Sequence, residues 1–383
     1  MICCVDAFQQ TPKQNMIEGQ ININVQRQNS FVKEVEITSS RPLHAAQLLI
    51  GKTPKQALTI IPLLFNICGA AHSYNARKVL QLDHHNNDDL YQLLVLAETL
   101  KEHLLRIFLD APKLLSIEQT DTDLPFISQI VNKLKDVLLP HDFKLQPVNQ
   151  FIGTIENYLE KHIFKQPINQ WLELASTKSL FTWAEQTDTI AAQSIANIYN
   201  NNWQNQGQCE IKSLPKLAPQ ELLQELNGHN AKDFIAYPTW NNQPHETTPL
   251  TRQLDKPLVQ DVLAQYNAGL LARWVARLLE IADVPSQMRL LLTEPAEGPE
   301  QNTIPIAQVE AARGRLIHRA EVADNTIQNY QIVAPTEWNF HPRGLIVASL
   351  KNINIDNTDE YIKVANLMIN SIDPCVGYQL SVD

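Results

Sequence analysis

Five cysteines are the first candidates for chemistry in this chain: Cys3, Cys4, Cys68, Cys209 and Cys375. Their number is odd and their spacing irregular, which is no disulfide framework and fits a reducing compartment. No two stand as a CxxC pair, so a zinc knuckle is not expected. Taken singly, such a cysteine is most often a small buried hydrophobe. Cys375 raises a sharper question, because it sits in Asp373-Pro374-Cys375, eight residues before the last one. His84 and His85 offer adjacent imidazoles, but neighbours in sequence rarely face one metal, and a loop is the simpler reading. The chain has no GxSxG elbow, HExxH helix, Walker loop or GxGxxG turn.

The elements that must position these residues are mostly helical. Hydrophobic residues make up 44% of the 383 and charged residues 19%, enough apolar material for a substantial core. The net charge of −10 argues against a general nucleic-acid binder, which needs a basic face. The N-terminus has no basic region followed by a long apolar run, so no secretory signal is expected. The most apolar run, "ALTIIPLLFNICGAA", is interrupted by Pro62 and Asn66 and is too short to cross a bilayer. A cytoplasmic protein without membrane insertion is the expectation.

Residues 17–38 alternate apolar and polar around "RQNS" and predict a β-hairpin. Residues 314–335 predict a second hairpin, turning at "ADNT". Residues 88–109 carry leucines at helical spacing with Asp88 as N-cap. A long helix is expected over 255–283, helical pieces at "LPFISQIVNKLKDVLL" and "LFTWAEQTDTIAAQSIANIYNN", and a last helix at about 358–370. From composition and periodicity alone the function stays open.

Four strings, in order along the chain, carry a resemblance. Ile17-Glu18-Gly19-Gln20 is similar to an "RIEGH" strand. "SSRPLHAAQLLIGKTPKQALTIIPLLFNICGAA" is similar to "SGxxFRGFExILKGRDPxxAPxxxxRICGVC". Glu310-Ala311-Ala312-Arg313-Gly314 with "LIHRAEVADNTIQNYQIVAPTEWNFHPRG" is similar to "EAPRGxLGHxxxxxDGKIxNYQxxxPTTWNxSPRD". "SIDPCVGYQLSVD" is similar to "SFDPCxxCxxH". Together they make the chain resemble the large subunit of nickel–iron hydrogenases. The resemblance covers about the first 110 and the last 80 residues.

It implies a mainly helical α+β fold, a large-subunit-like helix bundle core with small peripheral β-hairpins or sheets. It also implies one domain over 1–383. Within it, residues 1–110 form an N-terminal portion, residues 111–250 a variable helical insertion and residues 251–383 a C-terminal portion. In the family, four thiolates from two CxxC motifs hold nickel and an iron carrying cyanide and carbon monoxide. Such soft ligands suit those metals. Cys68 and Cys375 match the first position of each motif, whereas Ala71 and Tyr378 stand at the second. The lost pair is the one that bridges to iron, and Ser381 replaces the family's final histidine. No counterpart of the C-terminal extension that the family loses on maturation is expected. Hydrogen turnover is therefore not expected, and the chain is not expected to be an enzyme.

The family's cyanide donors match Arg313 and Thr336, twenty-three residues apart, with Pro335 between them. A buried, unpaired arginine would be costly without an anion, so their retention suggests that an Fe(CN)₂CO group still visits. Glu18 matches the family's proton relay and is either that or a structural pair. His72 is either an additional iron ligand or a hydrogen-bonded helix residue. His44, Ala312 and Asn66 depart from the family pattern. The whole resembles the HupK/HoxV group of accessory proteins. It implies a scaffold in hydrogenase maturation that transiently holds Fe(CN)₂CO on Cys68 and Cys375, with no nickel. The implied partners are iron-unit carriers and the true large subunit, with no nucleic acid. A noncatalytic structural subunit of a hydrogenase-related or complex I-like assembly is the alternative.

Overall fold

The computed structural model describes residues 19–82, 88–118, 124–138, 144–210, 212–293 and 304–383. Glu18, Cys3, Cys4, His84 and His85 lie outside them. The alternating run after Gly19 forms β1 (Gln20–Gln28) and β2 (Phe31–Ser39). Ile21, Ile23 and Val25 point inward from β1, met by Val32 and Val35 of β2, as period-two burial requires. Asn29, at φ 56°, supplies the left-handed turn between them.

Two short helices follow at a sharp angle. Helix α1 (Pro54–Leu64) opens with a capping box between Thr53 and Gln56, with Pro54 in its first turn. A 3₁₀ turn, Asn66–Cys68, leads into α2 (Gly69–Val79), and the chain bends by 105° between Pro54–Leu64 and Asn66–Val79. Helix α3 (Asp88–Leu105) continues through a π-helical turn, Arg106–Asp110, into a short helix, Ala111–Leu115. Asp88 lies within the first turn rather than capping it, where its charge still favours the helix N-terminus.

The core is helical. The helix Leu270–Thr293 is buried without interruption from Leu270 to Pro285, and packs on α3 and on the helix Thr358–Ile372. The single helix expected over 255–283 is two, Pro257–Tyr266 and Leu270–Thr293. Asn267 at φ 57° and Gly269 break it, and a Cβ on Gly269 would lie 2.7 Å from the Gln204 carbonyl. The helical stretch "LFTWAEQTDTIAAQSIANIYNN" falls in two helices, Thr177–Gln186 and Ile190–Asn200, the second capped by the Thr189 hydroxyl.

Two three-stranded sheets flank this core. β3 (Ile306–Ala311), β4 (Gly314–Ala323) and β5 (Thr326–Val333) form an antiparallel sheet. Asp324 and Asn325, both at positive φ, make the β4–β5 turn as expected. β6 (Gly377–Val382) closes the other sheet by pairing parallel to β1, so the order is β2-β1-β6. Among the described residues, no single helix is long and apolar enough to cross a membrane.

Candidate functional site

Cys68 reaches its place through the α1–α2 bend. It is the residue before α2 and is buried. The α2 N-terminus would leave its amides unpaired, and the Glu98 carboxylate of α3 accepts two of them, from Ala70 at 2.8 Å and Ala71 at 3.0 Å. Burial pushes the Glu98 carboxyl up to about 7, against the pull of those two amides.

Cys375 reaches the same place from the other end of the chain. The helix Thr358–Ile372 stops at Asp373, whose φ of 65° turns the backbone left-handed before Pro374. The buried Arg277 guanidinium caps that helix end, donating to the carbonyls of Asn370 at 2.9 Å and Ser371 at 3.1 Å. Burial lowers the Arg277 pKa to about 10 despite the Asp373 charge.

Cys68 and Cys375 line one cavity of about 90 Å³, with His72, Pro335, Arg41 and Glu337 also on its wall. The sequence separation is bridged by the β1–β6 pairing, which carries the Cys375 loop back beside the α1–α2 bend. Neither Ala71 nor Tyr378 lines the cavity. Ala71 packs against Tyr74, Val95, Ala311, Leu316 and Ala334, and the Tyr378 hydroxyl bonds Asn366 Oδ1 at 2.9 Å.

Arg313 sits in the β3–β4 turn, at 1% exposure. That turn is locked by Asn339, whose Nδ2 donates to the Thr247 and Arg313 carbonyls at 2.9 and 3.1 Å. A Cβ on Gly314 would fall 1.8 Å from the Thr247 carbonyl oxygen, so only glycine fits. Arg313 donates through Nη1 to Cys68 Sγ at 3.4 Å. Its Nη2 pairs with Glu102 at 3.0 Å and approaches Asp373 to 3.2 Å. Asp373 also lies 3.3 Å from Arg106, though neither of its oxygens is aligned for a hydrogen bond. Burial raises the Asp373 pKa, but Arg106, Arg313 and Arg277 outweigh it and hold the carboxyl below its usual range.

Thr336, in the short helix Pro335–Asn339, clamps Cys375. Its hydroxyl donates to Cys375 Sγ at 3.0 Å and accepts the Cys375 amide at 3.2 Å. Burial pushes the Cys68 thiol far up, and Arg313 only partly offsets it. Burial therefore favours the protonated thiol at Cys68.

One expectation is corrected here. Arg313 is not unpaired, because Glu102 and Asp373 neutralise it within the chain, so its burial does not by itself require a visiting anion. Arg313 and Thr336 also stand against the two sulfurs, and neither lines the cavity. Each is a donor to one of the thiols. Arg313 Nε is buried and without a hydrogen-bond partner among the described residues.

His72 is a hydrogen-bonded helix residue that also lines the cavity. Its Nδ1 lies 3.0 Å from His318 Nε2, and its ring stacks on Phe65 with centroids 4.1 Å apart. Glu18 lies outside the described residues. Among the described residues no three His, Cys, Asp or Glu side chains converge as a metal site. Sequence reasoning missed Arg41, Glu98, Glu102, His318, Glu337 and Asp373. Arg41 pairs with Glu337 at the cavity wall. Glu98 and Glu102 carried a signal, being one helical turn apart on a leucine-rich helix.

The fold is that of nickel–iron hydrogenase large subunits. The Ni-Fe-Se hydrogenase of Desulfovibrio vulgaris Hildenborough superposes with a TM-score of 0.54 at 16% identity, over 91% of this chain and 94% of that one. Residues 259–378 match the family model described as nickel-dependent hydrogenase. More particularly, the chain is a homologue of hydrogenase expression/formation proteins over most of its length. It is 27% identical to HoxV of Cupriavidus necator, over 89% of this chain and 91% of that protein. It is 23% identical to HupV of Azotobacter chroococcum, over 95% and 98% respectively.

Proposed function

We propose that this chain is an accessory scaffold of nickel–iron hydrogenase maturation. It holds or assembles the Fe(CN)₂CO unit on Cys68 and Cys375 before the unit passes to the true large subunit. The observation that carries this reading is the pair of thiols, about 300 residues apart in sequence, sharing one cavity wall with a dedicated donor on each sulfur. Charge-assisted and hydroxyl hydrogen bonds stabilise a sulfur anion, so Arg313 and Thr336 favour the thiolate forms that a soft metal takes.

Iron is the cargo here, and two sulfurs are half the family's thiolate set. Fewer protein ligands give weaker retention, which suits hand-over. The same deficit leaves no four-sulfur binuclear centre, so the chain carries no nickel and turns over no hydrogen. Its partners are then iron-unit carriers and the immature large subunit, in the cytoplasm. The relatives named as expression/formation proteins support the maturation role.

The test is iron retention. Protein produced anaerobically with the maturation machinery binds iron, and loses it to an immature large subunit on mixing. Protein that stays free of iron under those conditions overturns the reading and favours a noncatalytic structural subunit.

A further inference from the structure

His72 is the polar side chain on the cavity wall that the thiols leave without a task. It ends a buried chain of hydrogen bonds. His72 Nδ1 lies 3.0 Å from His318 Nε2, and His318 Nδ1 lies 2.8 Å from the Tyr330 hydroxyl. His72, His318 and Tyr330 are exposed by 6, 0 and 3%. Each link needs one hydrogen and one lone pair, so the chain can run in either of two directions.

If it runs from His72 outward, the Tyr330 oxygen accepts and its own hydrogen must go elsewhere. Tyr330 has no second hydrogen-bond partner among the described residues. A buried hydroxyl without an acceptor disfavours that direction roughly tenfold or more. In the other direction the one hydrogen left without a partner is the His72 Nε2–H, beside the cavity rather than within the packed interior. Tyr330 donates to His318 Nδ1, His318 Nε2–H donates to His72 Nδ1, and the His72 proton sits on Nε2. Burial holds both imidazoles neutral, which a one-proton-per-link chain requires.

We propose that His72 presents a neutral Nε2–H to the cavity, as a hydrogen-bond donor to a lone-pair-bearing or anionic group held beside the thiols. His318 and Tyr330 are positioning residues that fix this tautomer, and the Phe65 stack fixes the ring plane. With Nδ1 accepting and Nε2 protonated, His72 offers no lone pair to a metal. It supplies on the cavity wall the donor that Arg313 and Thr336, turned toward the sulfurs, do not. The identity of the acceptor, a cyanide on iron, rests on the proposed function; the tautomer does not.

The test uses the full chain labelled with ¹⁵N-histidine and purified without the maturation machinery. Long-range proton–nitrogen correlation, with His72→Gln for assignment, reads the tautomer. The expected spectrum has a pyridine-type Nδ1 and a pyrrole-type Nε2 at His72, and Tyr330→Phe yields a mixture of the two tautomers. A protonated Nδ1 in the wild type, or a tautomer indifferent to Tyr330→Phe, overturns the proposal. If Tyr330→Phe does not fold, the wild-type spectrum alone decides. In iron-loaded protein, His72→Leu shifts the cyanide stretching bands. Bands that do not move overturn the donor role, whereas a wild type that never loads counts against the scaffold and leaves the tautomer result in place.

Discussion

Replacing Arg313 with methionine separates a structural cation from one kept only for a ligand. Arg313 is 1% exposed and sits between Glu102 at 3.0 Å and Asp373 at 3.2 Å. Methionine has similar length and removes the charge, so Glu102 and Asp373 become buried carboxylates with one cation fewer. Breaking a buried pair from one side costs about 3–5 kcal/mol. Glu102 keeps Lys101 at 2.9 Å, and Asp373 keeps Arg106 at 3.3 Å, which places Arg313→Met near the lower end, about 3 kcal/mol. That is a large share of the ~5–15 kcal/mol available to a domain. Urea unfolding of the metal-free protein reads it as a lower midpoint at unchanged slope. If Arg313 served only to await an anion, its removal would relieve a desolvation cost and leave the midpoint unchanged or higher. That result would refute the internal pairing described here.

The surroundings of the two thiols carry two more tests. Glu98 binds its proton more tightly folded than unfolded, because burial lifts its pKa from 4.5 to about 7. Its contribution is fully present below pH 4.5 and falls away as the pH rises to about 7, by up to about 3 kcal/mol. Glu98→Gln should flatten that slope in unfolding curves taken across the window, and parallel slopes would contradict it. Thr336→Val removes a hydrogen bond to Cys375 Sγ and the acceptor of the Cys375 amide, for about 1–2 kcal/mol of stability. Cys375 should then alkylate faster than in the wild type, while Thr336→Ser behaves as wild type; equal rates in all three would deny the clamp.

Much of the fold was legible from local pattern. The two hairpins were, because period-two burial and the left-handed turn residues Asn29, Asp324 and Asn325 are local signals. Helix α3 was legible from its leucine spacing. The strand β6 was not, since a six-residue run after Cys375 takes its meaning from pairing with β1, about 350 residues earlier. The break at Asn267–Gly269 was not, because its cause is the distant Gln204–Asn205 backbone. At the site, Cys68 and Cys375 were found through resemblance, and the fold does bring them to one cavity. Their environment was misjudged, because a charged residue in sequence does not announce its partner. Arg313 looked unpaired until Glu102 and Asp373 arrived from two helices far apart in the chain.

That Cys68 and Cys375 together hold an iron unit carrying cyanide and carbon monoxide can be read by infrared spectroscopy of anaerobically purified protein, produced with the maturation machinery. Cyanide and carbonyl stretching bands are expected in the wild type. Both Cys68→Ala and Cys375→Ala should lose them while the fold persists. Bands that survive both substitutions, or a folded wild type with no bands at all, would contradict the assignment.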